Sequence, residues 1–279
     1  MRALKITVSI VFVLTTILFG AYYCYDRLNN DHVAPEIHCS VPVLQVNVTA
    51  SDRALCAGLT ATDNRDGDIT DHIIVRSVTN LYGSNSANVN YVVFDSSSNY
   101  CVFSRRIEYL NYRKPHFSLS QPLIYPTGST VDFMDRLTAD SGALDQPEDI
   151  SSKIRLTSGA IINYLEGQYP VTLQVTNALG DTSTISLTVR IQNVSSRQPV
   201  LYLQNYIAYV SAGENVEPED FRDYLTIART SAYGESVDFD DVTIDGTIDT
   251  STRGCNEVTF SYTNAEGLVG SVVLTVVVE

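Results

Sequence analysis

The chain has 279 residues, with 18 lysines and arginines against 32 aspartates and glutamates, which gives a formal net charge of −14. This charge excludes nucleic acid as an expected partner, because phosphate binding depends on cationic side chains. Tyrosine (17 residues) outnumbers phenylalanine (9) and tryptophan is absent. Valine, isoleucine and threonine recur throughout, and they favour strands over helices. We therefore expect an all-β protein.

The N-terminal segment has the composition of a membrane anchor. Residues 1–5 carry two cationic side chains, and 18 uncharged residues follow from Ile6 to Tyr23, near the lower limit for a helix that crosses the hydrocarbon layer. We predict a cytoplasmic segment at 1–5, a transmembrane signal anchor at 6–25 and a stalk at 26–34. Because positive residues stay on the cytoplasmic side, we expect a single-pass protein of the cell membrane with the rest of the chain extracellular.

Two other interpretations of this segment stay open. A signal peptide cleaved after Ala21 would place Phe19 at position −3, where a small residue is preferred. A lipid anchor on Cys24 would need a small residue before it, but Tyr23 stands there. Both observations favour an uncleaved anchor.

The five cysteines allow a disulfide in an exported chain. Cys39, Cys56 and Cys101 fall within one predicted domain, and we expect a bridge among these three. The sequence does not choose the pair, and the alternative that all the cysteines are reduced stays open. No cysteine or histidine spacing indicates a zinc site.

An internal repeat organises the rest of the chain. Three alternating strands each end at an Asp or Asn, followed by a tight polar turn and a second alternating strand, which is the pattern of a β-hairpin. These residues, Asp95, Asn177 and Asn264, are 82 and 87 residues apart. The prolines that open the units are spaced by 80 and 84 residues, so two markers agree on one period.

Short strands with frequent turns and a period of this length are typical of small β-sandwiches. We predict one sandwich in each of the segments 35–112, 113–194 and 195–279. A domain of this size buries only about 60% of the surface of its unfolded chain, so each is expected to be modest in stability.

Two motifs resemble a known family. Residues 57–70 read A-G-L-T-A-T-D-N-R-D-G-D-I-T, and residues 89–99 read V-N-Y-V-V-F-D-S-S-S-N. This pattern resembles a bacterial immunoglobulin-like domain family found in pesticidal crystal proteins and Gram-positive surface proteins, in which a glycine usually stands at the position of Ser98. The later repeats lack the D-G-D-I-T run, with residues 149–151 and 241–243 as its expected remnants.

The resemblance implies an immunoglobulin-like sandwich fold, a surface location and no catalytic activity. The predicted fold class is therefore all-β, with three tandem immunoglobulin-like β-sandwiches after one N-terminal transmembrane helix. What such a domain binds does not follow from the resemblance.

The densest acidic cluster lies within the D-G-D-I-T run. Asp63, Asp66 and Asp68 are candidate calcium ligands, because hard cations prefer several carboxylate and carbonyl oxygens on one loop. The alternative is that these side chains cap turns by accepting hydrogen bonds from nearby backbone amides. Beyond Ca²⁺ at this loop, we expect no cofactor.

No motif indicates catalysis. The sequence contains no G-x-S-x-G nucleophile elbow and no H-E-x-x-H or phosphate-binding glycine loop. We therefore expect that the chain is not an enzyme.

Two functions remain. The first is an adhesion, spacer or protein-interaction module whose partner is a surface protein or a cell-wall glycan. The second is a carbohydrate-binding surface module, because several tyrosines of the third repeat could stack on sugars, namely Tyr202, Tyr206, Tyr209, Tyr224 and Tyr233. Exposed, coplanar tyrosines would favour the second function.

Overall fold

A computed structural model describes residues 2–29, 31–82 and 85–279 of the chain. The first element is helix α1, Arg2–Asn29. Its segment Ile6–Arg27 has a mean hydropathy of 2.0, and none of it is buried. At 1.5 Å per residue it is long enough to cross a bilayer, and a signal sequence has the same character. The predicted apolar N-terminal helix is therefore present.

Short strands account for most of the remaining chain. After α1, the one further α-helix among the described residues is the single turn α2, Asp52–Leu55. The strands are β1 Glu36–Cys39, β2 Val43–Val46, β3 Leu59–Asp63, β4 Gly67–Asp68, β5 Ile74–Val78, β6 Ser86–Phe94, β7 Tyr100–Tyr109, β8 Phe117–Leu119, β9 Ile124–Pro126, β10 Leu137–Ala139, β11 Arg155–Ser158, β12 Gly167–Thr176, β13 Thr182–Gln192, β14 Val200–Leu203, β15 Ile207–Val210, β16 Leu225–Arg229, β17 Thr243–Gly246, β18 Gly254–Thr263 and β19 Val269–Val278. Short 3₁₀ turns lie at Thr70–His72, Met134–Arg136, Ser151–Lys153, Pro218–Tyr224 and Phe239–Asp241.

The strands form three sandwiches, each of one small sheet and one four-stranded sheet. The sheet orders are β1-β3-β4 with β2-β7-β6-β5, β10-β8 with β11-β12-β13-β9, and β14-β16 with β15-β19-β18-β17. In each sandwich a long antiparallel hairpin forms the centre of the larger sheet, and a short early strand pairs in parallel with the last strand. The predicted all-β, immunoglobulin-like fold is confirmed.

The core follows from period-2 alternation along the long hairpins. In β12, Val171, Leu173 and Val175 are buried, while the intervening Thr172 and Gln174 remain partly exposed. The chain divides into two compact units, residues 1–112 and 113–279. The exact boundaries between sandwiches stay predictions.

The second and third sandwiches pack against each other within the unit 113–279. Their buried side chains belong to one hydrophobic cluster. The Tyr206 backbone N donates to the Leu119 carbonyl at 3.0 Å, and the Leu119 N donates to Asn205 Oδ1 at 3.0 Å. Backbone hydrogen bonds thus join these two repeats directly.

The three hairpin turns repeat the same geometry. In each, the backbone N of the Asx residue donates to the carbonyl four residues later at 3.0 Å. The third residue after the Asx has positive φ: 70° at Ser98, 77° at Gly180 and 79° at Gly267. The glycine position of the family pattern is therefore a left-handed position, which glycine adopts at least cost.

The buried residue of the D-G-D-I-T run also recurs. Ile69, Ile150 and Val237 each donate from the backbone N to an alanine carbonyl on a facing strand, at 2.9, 2.8 and 2.9 Å respectively. The remnant predicted at 149–151 therefore occupies the equivalent place. The prediction of a remnant at 241–243 is wrong, because Val237 occupies the position equivalent to Ile69 in the third sandwich.

Candidate functional site

The three aspartates predicted as calcium ligands accept hydrogen bonds from different donors. Asp63 Oδ2 accepts from the backbone N of Arg65 at 2.8 Å and of Asp66 at 3.1 Å, and these bonds lower the pKa of the Asp63 carboxyl. Asp68 Oδ1 accepts from Thr70 Oγ1 at 2.6 Å and from Thr70 N at 3.0 Å, which lowers its pKa as well. These contacts fit the turn-capping alternative.

Asp66 ties the acidic loop to the β6–β7 turn. Its carboxylate accepts from Ser96 N at 2.6 Å and from Ser96 Oγ at 2.8 Å. Both carboxylate oxygens are used in this way, because the backbone bond goes to Oδ2 and the hydroxyl bond to Oδ1. Asp66 therefore links the acidic loop to the β6–β7 turn through two hydrogen bonds.

A different carboxylate cluster forms around Asp63. Asp31, Asp63 and Asp95 each place one carboxylate oxygen within 4.8 Å of the others. Asp31 is 6% exposed and Asp95 is 8% exposed. Asp63 is half-buried. Within the described part of the chain, this is the one group of three or more carboxylate, thiol or imidazole ligands with such spacing. We call it the aspartate cluster.

Polar neighbours hold the aspartate cluster in place. Asp31 Oδ1 accepts from Val33 N at 2.9 Å. Asp95 accepts from the backbone N and the side-chain Nδ2 of Asn99, both at 2.7 Å. Asn99 Nδ2 also donates to the Asp31 carbonyl at 3.1 Å, so one amide bridges two members of the cluster.

Asn64 and Arg65 also lie close to the carboxylates of the aspartate cluster. Arg65 Nε lies 3.8 Å from Asp31 Oδ2. The Asn64 amide lies beside the carboxylates of Asp31 and Asp63. Its Nδ2 donates to Asp31 Oδ2 at 3.0 Å and to Asp63 at 3.2 Å.

Carboxylate oxygens are the ligand type that hard cations prefer. Calcium takes about six to eight oxygen ligands, and the three carboxylates offer part of such a shell. Calcium binding by Asp63, Asp66 and Asp68 stays a prediction, and the structure brings Asp31 and Asp95, rather than Asp66 and Asp68, within 4.8 Å of Asp63. Sequence reasoning identified Asp95 only as a turn residue, and it assigned Asp31 to the stalk.

The cysteines are free thiols in the structure. Cys39, Cys56 and Cys101 are all partly buried in the first sandwich, and the expected disulfide among them stays a prediction. Burial raises the pKa of the Cys56 thiol, which reduces its thiolate fraction and its reactivity.

The tyrosines of the third repeat do not form one exposed face. Tyr206 is 1% exposed. Tyr209 stacks on His116 with ring centroids 3.5 Å apart, and Tyr224 is partly buried against Phe221. Tyr202 and Tyr233 are exposed. Most of these rings therefore serve packing.

Comparison with known sequences gives two matches, one to a bacterial domain family and one to a bacterial protein. Residues 209–278 match the family "Bacterial Ig-like domain (group 3)", on the third sandwich and not on the D-G-D-I-T run. The pesticidal crystal protein Cry22Aa of Bacillus thuringiensis is 26% identical over 215 residues, which cover 75% of this chain and 28% of that protein. The chain thus spans little more than a quarter of this relative.

Solved structures show only distant likeness. The M60 catalytic domain of Clostridium perfringens ZmpB with its CBM51 domains aligns over 89% of this chain and 31% of that one, at 11% identity and a TM-score of 0.23. The human Desmocollin-1 ectodomain aligns over 88% of this chain and 61% of that one, at 11% identity and a TM-score of 0.20. These scores carry no functional argument. The resemblance to bacterial immunoglobulin-like domains is confirmed by the sequence matches, through a family match on the third sandwich.

Proposed function

We propose that the chain is a membrane-anchored, extracytoplasmic immunoglobulin-like repeat protein that acts as an adhesion, spacer or protein-interaction module. The observation that carries this proposal is the apolar helix segment Ile6–Arg27, none of which is buried, in front of three sandwiches. An apolar helix exposed all round is unfavourable in water and favourable in a bilayer. The two cations at residues 2 and 5 then orient the sandwiches outward.

The hydrogen bonds of the aspartates in the acidic loop support a non-catalytic role for these side chains. Asp63 and Asp68 accept hydrogen bonds from donors of their own loop, and Asp66 accepts from Ser96 on the β6–β7 turn. The partner class that we propose is a surface protein, with a cell-wall glycan as the alternative.

Cysteine labelling tests the membrane topology. Cys255 is exposed in the third sandwich, so a membrane-impermeant maleimide should label it in intact spheroplasts that express the full chain. Cys255→Ser, the matched control, should lose that label. Labelling of Cys255 only after lysis would place the sandwiches in the cytoplasm and overturn the proposal. The intact mass of the purified chain distinguishes an uncleaved anchor from a cleaved signal peptide.

A carbohydrate-binding module is the second candidate, and one cleft favours it. An open cleft of about 550 Å³ in the unit 113–279 is lined by the exposed ring of Tyr202 and by polar groups of Glu166, Asn193 and Gln198. Its size lies within the range of small-molecule sites. Loss of binding to purified cell-wall glycan in Tyr202→Ala, but not in Tyr233→Ala, would support this candidate. Equal binding by both variants would exclude the cleft.

A further inference from the structure

The outer face of the larger sheet in the first sandwich carries an apolar patch. Its members point away from the core and lie at the end of the sheet next to the 95–99 turn. Ile74 is 54% exposed, Phe94 46%, Tyr100 60% and Val102 47%, while Val92 is partly exposed. We call these five residues the outer patch.

Strand register makes the outer patch continuous. Ile74 pairs with Val92, Val92 pairs with Val102, and Phe94 pairs with Tyr100. The two aromatic rings lie 5.8 Å apart between centroids. Because an aromatic side chain has roughly 150–250 Å² of surface, these two rings alone expose on the order of 200 Å². The largest apolar patch on a soluble monomer typically measures a few hundred Å² and is often functional.

The second sandwich provides an internal control for this face. Aligned at the Asx residue, the outward pair Phe94–Tyr100 corresponds to a threonine pair, Thr176–Thr182. The row Ile74–Val92–Val102 corresponds to Arg155, Gln174 and Thr184. The hairpin therefore folds with polar residues at all five positions, so the fold itself does not require the apolar ones.

The third sandwich is also mostly polar there. Thr263 pairs with Val269, and Ser261 lies between Thr243 and Ser271. Four of the five equivalent positions therefore carry a hydroxyl side chain. The apolar character is a property of the first sandwich alone.

A partner is expected on the face of this sheet rather than along its edge. The edge strand β5 contains an irregularity between Val75 and Ser77. A bulge disrupts the row of backbone groups that an added strand would pair with, and proteins use such bulges to protect edges. The exposed surface of the outer patch lies on the side chains, which a bulge does not remove.

The charge beside the outer patch selects the kind of partner. Residues 63–71 contain four aspartates and one arginine. Asp66 fixes this acidic loop to Ser96, two residues after Phe94. A second copy of the chain in a symmetric contact would bring an identical acidic loop to the same place, and like charges would oppose that contact.

We propose that the outer patch and the acidic loop form one docking surface for a partner protein segment that presents apolar side chains flanked by lysines or arginines. The proposal rests on the proposed function as a protein-interaction module and names the chemistry of the partner. Apolar contact supplies the affinity, and the acidic loop supplies orientation and selectivity.

The test uses the full chain in neutral-lipid nanodiscs and two fluorescent peptides measured by anisotropy. One peptide alternates lysine and valine around a central tyrosine, and the other carries glutamate in place of lysine. We expect the lysine peptide to bind at least tenfold more tightly than the glutamate peptide, with weaker binding at higher salt. Phe94→Thr/Tyr100→Thr, which copies the pair of the second sandwich, should weaken binding of the lysine peptide at least tenfold. Tyr233→Thr, at a ring that is 93% exposed in the other unit, should not.

Several outcomes would overturn the proposal. Equal binding of both peptides would show that the acidic loop does not select the partner. Unchanged binding in the double variant would show that the outer patch is not the docking surface. Concentration-dependent dimerisation that the double variant abolishes would identify a second copy as the occupant. Val102→Thr gives the same test if the double variant fails to fold. Because the maleimide experiment reads topology alone, failure of the peptide test leaves the membrane-anchored function standing.

Discussion

Tyr91 and Arg105 are joined inside the first sandwich by a 3.0 Å hydrogen bond from Arg105 Nη2 to the tyrosine hydroxyl. Tyr91 is fully buried and Arg105 is 2% exposed, and the guanidinium carbon lies 5.5 Å from the centre of the tyrosine ring. The Tyr91 hydroxyl donates to the Leu55 carbonyl at 2.6 Å, and Arg105 Nη1 donates to the Ala57 carbonyl at 2.7 Å. A buried cation is thus held by a ring and by backbone carbonyls, and it ties the larger sheet to residues 55–57.

Tyr91→Phe should destabilise the first sandwich. The substitution leaves the ring in place but removes the donor to Leu55 and the acceptor for Arg105. A buried group left without its partner costs about 1–3 kcal/mol in the free energy of unfolding. Urea unfolding of the full chain in detergent measures the loss. Tyr100→Phe is the matched control, because that ring is 60% exposed, and its effect should stay within about 0.5 kcal/mol.

Ser98→Gly should stabilise the same unit. Ser98 holds a φ of 70°, and a left-handed conformation costs a residue with a β-carbon about 1–2 kcal/mol. Glycine removes that strain but has more entropy in the unfolded chain, so we expect a net gain of up to about 1 kcal/mol.

The reciprocal change is Gly267→Ala. An added β-carbon there would meet no atom within 4 Å, and φ is 79°, so only backbone strain opposes it. We expect a loss of about 1 kcal/mol. Hydrogen exchange of the full chain measures the free energy of local opening near each turn in Ser98→Gly and Gly267→Ala. A stabilising Gly267→Ala would contradict this explanation.

The hairpins could be predicted because their signals are local. Alternation along β12 and the Asx turns at Asn177 and Asn264 depend on neighbouring residues, and the structure places them as expected. The aspartate cluster could not be predicted in this way. Asp63 lies 32 residues after Asp31 and 32 residues before Asp95, and only the packing of the sandwich brings the three together.

The outer patch was also beyond sequence reasoning, for a different reason. Residues 91–94 read Y-V-V-F, a continuous apolar run in which period-2 alternation does not distinguish the two faces. The structure shows which residues lie on each face of the strand. Tyr91 and Val93 are fully buried, and Phe94 is 46% exposed. The alternation of burial is therefore regular even where the alternation of residue type is not.

His116→Phe should reduce the acid sensitivity of the unit 113–279. His116 Nε2 lies 2.8 Å from Glu279 Oε1, and this hydrogen bond holds the pKa of the Glu279 carboxyl below its usual value. A depressed carboxyl pKa stabilises the folded state above the unfolded pKa of about 4.3, and this stability is lost as the pH falls through the folded pKa.

Phenylalanine keeps a ring to stack on Tyr209, which lies parallel to His116 within 2°, but it removes the bond to Glu279. The variant should therefore unfold at lower urea than the wild type at pH 7, and the difference should shrink between about pH 5 and pH 3. Urea midpoints at several pH values measure this. A difference that stays constant down to pH 3 would show that His116 contributes through packing alone.

Asp95→Asn should stabilise the first sandwich when divalent cations are absent. Asp95 lies within 4.8 Å of two other carboxylates and is 8% exposed, so the three negative charges repel one another with little screening by water. The second sandwich has Asn177 at this place, and its Oδ1 accepts from Leu179 N and Asp181 N at 3.0 Å. Asparagine therefore fits the turn.

We expect a gain on the order of 1 kcal/mol for Asp95→Asn in a chelating buffer, from the removal of one charge at this distance. Urea unfolding with EDTA measures it, and a loss of stability there would show that the Asp95 carboxylate is needed for its bonds to Asn99. Repeating the measurement in millimolar calcium tests the cation prediction separately. A cation held by the aspartate cluster would raise the midpoint of the wild type and reverse the order of the two proteins, because each carboxylate then becomes a ligand and not a source of repulsion.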